Sequence, residues 1–235
     1  MSQRRLLYLR QMGISVWVRR YRDFGVENPV LSSGSRLSED LSLAAEEWER
    51  LRQEVAACTA CPLHRTRTHA VFGVGNQRAD WMLIGEAPGE QEDLKGEPFV
   101  GPAGQLLNEM LKALRLQREE VYITNILKSR PPGNRDPKPE EVLACEPYLK
   151  RQIALVAPKV ILAIGRIAAQ SLLKTEAPLS RLRGKVHRYA ATPVVVVYHP
   201  AYLLRSPAAK RQAWEDLKLA FRVYSQVSQG NPWTN

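Results

Sequence analysis

Residues 81–104 read WMLIGEAPGEQEDLKGEPFVGPAG, a short apolar run followed by two loops rich in glycine and proline. Such a run is typical of a buried strand. Similar apolar runs occupy 121–126, 160–164 and 194–198, and helical patterns lie near 103–114, 139–156, 166–173 and 208–224. Strands that alternate with helices predict an α/β fold with a parallel sheet covered on both faces.

Three of these strands are followed by loops whose residues are suited to chemistry. The loops cover 85–104 after the first strand, 128–137 after the second and 198–205 after the last. In a parallel sheet, loops at the carboxyl ends of the strands form the active site. Taken singly, each loop is a weak sign, because a Gly-Pro loop is often only a turn and a histidine after a strand is often structural. Their joint order favours one catalytic site.

The flanking segments define the domain organisation. Residues 1–26 contain a short apolar helical pattern among arginines, and residues 27–37 are rich in turn formers. Ser38 is suited to cap a helix whose apolar face includes Trp48, Leu51 and Val55. We therefore predict a partner-binding segment at 1–26, a linker at 27–37, a main domain at 38–224 and a flexible tail at 225–235.

The composition favours a polyanionic partner. The chain has 34 Lys and Arg residues against 24 Asp and Glu residues, a net charge of +10, and nucleic acid is the leading candidate for such a surface. A merely soluble basic surface is the alternative. No apolar stretch reaches the length of a membrane span or a signal peptide, so we expect no membrane and a cytoplasmic location. Three cysteines are too few for a disulfide framework, which fits a reducing compartment.

Six motifs together resemble the iron-sulfur, or type 4, uracil-DNA glycosylases over about residues 58–214. They are CTACPL at 58–63, GEAPG at 85–89, PFVG at 98–101, ITN at 123–125, RPPGNR at 130–135 and HPAYLLR at 199–205. The resemblance implies a three-layer α/β/α sandwich with a mostly parallel four-stranded sheet, and a monomer. It also implies an enzyme that flips uracil out of DNA and hydrolyses its N-glycosidic bond.

The resemblance further implies a role for each loop residue. Phe99 would stack on the flipped uracil, and the amide of Asn125 would match the uracil edge and mismatch cytosine. His199 would donate to the base oxygen as negative charge develops there. Glu86 would position water or stabilise the cationic sugar, although a loop-bracing carboxylate is the alternative. Gly85 and Ala87 would complete the uracil-binding loop.

The same resemblance implies a DNA-binding surface around the pocket. Leu203 or Leu204 would enter the groove as an apolar wedge, and Arg205 would contact phosphate. Further phosphate contacts would come from Lys128, Arg130 and Arg135.

One position departs from the family pattern. Four cysteines hold a 4Fe-4S cluster in the family, and Cys58, Cys61 and Cys145 match three of them. Ser129 stands at the remaining ligand position, where a hydroxyl is a far poorer ligand than a thiolate. The cluster is therefore absent, held by three cysteines, or serine-ligated. The same residues also allow a zinc site with His64 as the fourth ligand, or cysteines that serve only as small core residues.

The N-terminal segment resembles a different protein. Residues 5–20, RLLYLRQMGISVWVRR, are similar to the N-terminal segment of the psi subunit of bacterial DNA polymerase III. That resemblance implies docking to the clamp loader and a link to the chi subunit. Partner binding would use Leu6, Leu9, Ile14 and Trp17 as anchors. A plain domain-capping helix is the alternative.

Two functions follow from these patterns. In the first, the chain is a working uracil-DNA glycosylase, linked to the replisome by its N-terminus. In the second, the fold is a psi-type scaffold that bridges the clamp loader and chi, with catalysis reduced or lost. Glu86, Phe99, Asn125 and His199 favour the first function, because a scaffold has no catalytic need for this set. Ser129 and the psi-like segment favour the second, and we expect the enzyme.

Overall fold

The computed structural model describes the backbone of residues 33–231 and the side chains of residues 43–231. The predicted partner-binding segment, with Leu6, Leu9, Ile14 and Trp17, lies outside the described residues. Within the described part of the chain, no helix is both long enough and apolar enough to cross a membrane.

The sheet has six strands within the described residues, where the sequence predicted four. The strands are β1 Val74–Gly75, β2 Trp81–Gly85, β3 Tyr122–Asn125, β4 Val160–Ile164, β5 Val186–Tyr189 and β6 Thr192–Val197. Their order is β1-β3-β2-β4-β6-β5, and the four central strands are parallel as predicted. The two additional strands are antiparallel edges. They were missed because β1 has only two residues and β5 is mostly polar and partly exposed.

The helices cover the sheet and differ from the prediction mainly at their ends. They are α1 Ser33–Ala56, α2 Glu90–Lys95, α3 Pro102–Ala113, α4 Pro139–Val156, α5 Arg166–Leu173, α6 Leu179–Leu182, α7 Pro200–Arg205 and α8 Lys210–Ser228. Helix α1 begins five residues before the predicted cap Ser38, so it includes the end of the predicted linker. Helix α8 extends to Ser228 and takes in the first residues of the predicted tail.

Side chains of the strands alternate between two hydrophobic cores, one on each face of the sheet. On β2, Met82 and Ile84 belong to one core, together with residues of α1, α4 and α5. Trp81 and Leu83 belong to the other core, together with residues of α3 and α8. Burial of each large apolar side chain contributes about 1.5–3 kcal/mol. Two such cores make a three-layer α/β/α arrangement, as the sequence predicted.

The topology places the functional loops at one edge of the sheet. The chain runs from β2 to β3 on one side and then returns to place β4 on the other side of β2. Ligands of open α/β sheets bind outside the carboxyl ends of the strands at such a reversal. The loops after β2, β3 and β6 meet there.

Candidate active site

A pocket of about 440 Å³ lies at this edge of the sheet. It brings together residues predicted from three separate loops, including Glu86, Ala87, Phe99, Asn125, His199 and Arg205. Another cavity of similar volume, about 460 Å³, is lined by Trp48, Arg52 and Lys95 among others and contains none of the predicted site residues. The residue chemistry, rather than cavity size, identifies the first pocket as the candidate site.

Asn125 ends β3 with its side chain almost completely buried, at 1% exposure. Its Oδ1 is one of three buried side-chain polar atoms that have no hydrogen-bond partner in the described part of the protein. The other two are the indole nitrogens of Trp48 and Trp81, which pack in the two cores. An unpaired buried acceptor costs about 1–3 kcal/mol. Because Asn125 lines the pocket, a ligand there can donate to this atom.

Gly85 explains how Asn125 and Phe99 approach each other. A Cβ at this position would overlap Asn125 Oδ1 and would lie 2.6 Å from Phe99 Cζ. Glycine is therefore required at the end of β2 by close packing. The predicted role of Gly85 in uracil binding stays a prediction.

Lys128 lies beneath the pocket and not on the DNA surface for which it was predicted. It is 2% exposed, and its Nζ donates to Asn125 O at 2.7 Å, Thr124 Oγ1 at 2.6 Å and Gln152 Oε1 at 2.7 Å. Burial lowers the pKa of the Lys128 ammonium to about 7. A lysine with three internal acceptors cannot also reach a phosphate, so this prediction does not agree with the structure.

Phe99 has an unusual backbone conformation that fixes its ring in the pocket wall. Its φ is 54°, in the left-handed region that non-glycine residues rarely adopt. The Phe99 carbonyl packs so closely on Gly104 of α3 that a Cβ there would overlap it. Glu92 Oε1 accepts from Val100 N at 2.9 Å and Gly101 N at 3.0 Å. Several contacts thus hold a strained residue whose ring is 6% exposed.

His199 is placed to act as a neutral hydrogen-bond donor. It caps α7, where its Nδ1 accepts from Ala201 N at 3.2 Å. Burial, followed by the charge of Arg205, lowers the pKa of His199 to about 4, so the ring is neutral at physiological pH. A neutral ring that accepts at Nδ1 carries its proton on Nε2. The ring also stacks against Phe99, with centroids 5.6 Å apart.

Glu86 has the strongest upward pKa shift among the carboxyl groups of the pocket. Burial is the main cause that raises the pKa of Glu86 to about 7; the nearby charge of Asp136 also raises this pKa, and Arg166 lowers it by less. Asp136 accepts from Arg166 Nη2 at 2.6 Å. A carboxyl group poised near neutral pH suits acid-base or charge-stabilising chemistry.

Helix α7 decides which leucine faces solvent. Leu203 is 1% exposed and belongs to a hydrophobic core, so it is not available as a wedge. Leu204 is 46% exposed. Arg205 is exposed at the end of the helix and lines the pocket. Of the two predicted wedge residues, only Leu204 can enter DNA.

Arg130 and Arg135 hold the loop after β3. Arg135 donates from both terminal nitrogens to the buried Glu141 carboxylate, at 2.9 and 2.6 Å. Arg130 donates from Nε to Asn134 Oδ1 at 2.7 Å and pairs with Glu90 at 3.8 Å. Both guanidinium groups therefore bind acceptors within the protein. Their predicted phosphate contacts stay a prediction.

The predicted cluster ligands form an incomplete donor set. Cys58 and Cys61 are partly buried, and Cys145 is buried beside Leu63 and Leu127. Burial is the main cause that raises the pKa of both the Cys61 and Cys145 thiols. Within residues 43–231, no three His, Cys, Asp or Glu side chains are grouped closely enough to hold a metal ion.

The fourth position is occupied by a hydrogen-bonded hydroxyl. Ser129 Oγ accepts from Arg67 Nη1 at 3.0 Å, and Arg67 Nη2 donates to Ala56 O at 2.7 Å. His64 Nδ1 lies 2.7 Å from the carbonyl of Cys61, where it is engaged with the backbone. Three thiols and a hydroxyl beside a cation do not fit the four thiolates that a 4Fe-4S cluster takes.

Comparison with known proteins identifies the family of this domain. Residues 72–218 match the model of the uracil DNA glycosylase superfamily. The chain is 48% identical to a type-4 uracil-DNA glycosylase of Archaeoglobus fulgidus over 74% of this chain and 91% of that protein. It is 43% identical to the enzyme of that name from Sulfurisphaera tokodaii, over 74% and 83%. It is 42% identical to the type-4 uracil-DNA glycosylase of Thermotoga maritima, over 74% of this chain and 93% of that protein.

The superfamily match covers the part of the chain that carries the pocket, and the names of the relatives agree with the resemblance drawn from the six motifs. The superfamily match alone spans more than half of the chain. The chain therefore belongs to the uracil-DNA glycosylase superfamily and, within it, to the type-4 uracil-DNA glycosylases, a family of hydrolases.

Proposed function

We propose that this chain removes uracil from DNA by hydrolysing the N-glycosidic bond, and that the 440 Å³ pocket holds the flipped base. The observation that carries the proposal is the buried, unpartnered Oδ1 of Asn125. A scaffold without chemistry would have no reason to keep this atom unsatisfied, because the cost falls on the stability of the fold.

Asn125 would select uracil by matching the edge of the base. Its Oδ1 accepts from N3–H of uracil, and its Nδ2 donates to O4. Cytosine presents an acceptor at N3 and an amine at C4, so both bonds would be replaced by repulsive contacts. A site whose buried polar groups are left unpaired by the wrong base discriminates strongly against it. Phe99 would provide the stacking face.

His199 and Glu86 would divide the chemical work. As the bond between C1′ and N1 breaks, its electron pair moves onto the leaving uracil, and His199 Nε2–H stabilises the charge that develops on O2. The sugar becomes cationic, and the ionised Glu86 carboxylate stabilises it. Water adds to C1′ and transfers a proton to Glu86, which leaves an abasic site, a uracil anion and a protonated Glu86. Glu86 then returns this proton, through solvent, to the uracil anion, which gives neutral uracil and restores the carboxylate.

The rim of the pocket would bind the DNA strand. Leu204 is exposed beside the pocket and would fill the gap left by the extruded base. Arg205 would contact a flanking phosphate, and the net charge of +10 would attract DNA over a longer range.

The proposal is tested by single-turnover uracil excision with anaerobically purified protein on single- and double-stranded oligonucleotides. Asn125→Ala should lose uracil excision and keep its affinity for DNA without uracil. Asn231→Ala, which truncates an exposed asparagine outside the pocket, is the matched control. Undiminished excision by Asn125→Ala would refute the site assignment.

We further propose, from the sequence pattern of residues 1–26 alone, that the enzyme is tethered to the clamp loader. The tether concerns location and leaves the pocket chemistry unchanged. The scaffold hypothesis, in which the chain bridges the clamp loader and chi without catalysis, is the one that absence of excision by folded protein would favour.

A further inference from the structure

Three side chains form a continuous stack that ends at the mouth of the pocket. The guanidinium carbon of Arg183 lies 3.8 Å from the centroid of the Tyr198 ring. The Tyr198 ring in turn stacks on Tyr202, with centroids 4.9 Å apart and an interplanar angle of 28°. Tyr202 lines the pocket.

The stack is anchored in the protein at its inner end. Arg183 Nε donates to Asp216 Oδ2 at 2.6 Å, and the Asp216 side chain is 2% exposed. The hydroxyl of Tyr198 donates to Gln212 Oε1 at 3.0 Å. A cation over an aromatic face adds to this order. The rim ring therefore starts from a fixed orientation, which reduces the entropy lost when a ligand stacks on it.

Tyr202 remains 40% exposed although one face of its ring is covered by Tyr198. Arg205, one helical turn later on α7, is also exposed and lines the same pocket. An aromatic ring beside a cation is the combination with which proteins bind single-stranded nucleic acid, because every base has a face that can stack. If Tyr202 served only to cover Tyr198, removal of its ring would leave the affinity for DNA unchanged.

We propose that Tyr202 is a stacking platform for the unpaired base next to the flipped uracil, and that the preferred substrate is single-stranded DNA. This inference rests on the proposed function and names the substrate class of the same site. In a duplex, the flanking base stays stacked on its neighbours and paired with its partner, so it cannot lie on Tyr202 without a further unstacking cost.

The test uses oligonucleotides whose uridine carries a 2′-fluorine, which resists cleavage because it destabilises positive charge on the sugar. A 2-aminopurine is placed on the 5′ or the 3′ side of the uracil, and its fluorescence falls when it stacks on an aromatic ring. The full-length chain is compared with Tyr202→Ala, with Tyr202→Phe, which keeps the ring, and with Phe221→Ala. Phe221 is an exposed aromatic residue of α8 outside the pocket.

We expect quenching on one side of the uracil with the unchanged chain, Tyr202→Phe and Phe221→Ala, and its loss with Tyr202→Ala. Affinity for the single strand should fall about tenfold or more in Tyr202→Ala, and affinity for the duplex by less than about twofold. At saturating enzyme, Phe221→Ala should excise natural uracil at the rate of the unchanged chain, because Phe221 lies outside the pocket.

Equal losses on single and double strands would overturn the proposal, as would a Tyr202→Phe variant that behaves like Tyr202→Ala. Unchanged quenching in Tyr202→Ala would also overturn it. Binding and fluorescence need no cleavage, so they separate this inference from the proposed function. Absence of excision by the unchanged chain, with quenching that depends on Tyr202, would contradict the catalytic proposal and leave the platform in place.

Discussion

The pH dependence of excision should report the charge of Glu86. With a pKa of about 7, Glu86 is about half ionised at pH 7, about 90% ionised at pH 8 and about 1% ionised at pH 5. If the carboxylate is the active form, the single-turnover rate should fall about ninetyfold between pH 8 and pH 5. His199 stays neutral throughout this range because its pKa is about 4.

Two neighbouring residues allow the midpoint to be moved in opposite directions. Asp136→Asn removes the charge that raises the pKa of Glu86 and frees Arg166 from its ion pair, so the midpoint should move to lower pH. At pH 6 the unchanged chain is about one-tenth ionised at Glu86, so the variant can gain at most about elevenfold there. Arg166→Gln should move the midpoint to higher pH.

The assay is single-turnover excision from pH 5 to pH 8.5 with enzyme in saturating excess, so that changes in DNA affinity do not enter the rate. Glu86→Gln serves as the control and should give a low rate that does not follow the same transition. A rate that is flat over this range in the unchanged chain would refute the assignment of Glu86. So would a midpoint that Asp136→Asn and Arg166→Gln leave in place.

Further substitutions test the supports of the site. Gly85→Ala should abolish excision and preserve DNA affinity, because the new methyl group occupies pocket space; normal excision would contradict the packing argument. Lys128→Met should lower the free energy of unfolding by about 2 kcal/mol or more, measured by urea denaturation against exposed Lys95→Met; equal stabilities would contradict it. Ser129→Cys should raise the amount of iron and sulfide per chain after anaerobic purification, because it restores a fourth thiolate. Equal amounts in the variant and the unchanged chain would show that Ser129 is not what prevents cluster binding. Deleting residues 1–26 should remove clamp-loader binding in a pull-down and leave excision intact; undiminished binding would refute the tether.

Much of the fold could be predicted from the sequence, because the patterns that define its central strands are local and occur four times. Each central strand is a short apolar run followed by a loop, and the four runs predicted the parallel centre of the sheet correctly. The same order placed Glu86, Asn125 and His199 at one edge, where the structure brings them together. Edge strands β1 and β5 carry weak patterns because pairing with a neighbour, rather than burial, defines them.

The errors concern side chains whose direction depends on tertiary packing. Lys128 follows a strand end among other basic residues, and nothing in its local sequence states that it turns inward to three acceptors. Leu203 and Leu204 are adjacent and equally apolar, and only the packing of α7 buries the first and exposes the second. The stack of Arg183, Tyr198 and Tyr202 joins distant segments and has no sequence signature.

The bonds of Lys128 have a consequence for attempts to change the base preference of this enzyme. The ammonium group of Lys128 donates both to Asn125 O, in the residue that would select the base, and to Oε1 of the buried Gln152. Libraries aimed at new base specificities should therefore find tolerated changes on the open side of the pocket. On the inner side of the pocket, next to Lys128, a substitution that changes base specificity will also destabilise the fold. Selections for activity alone will therefore rarely recover such substitutions.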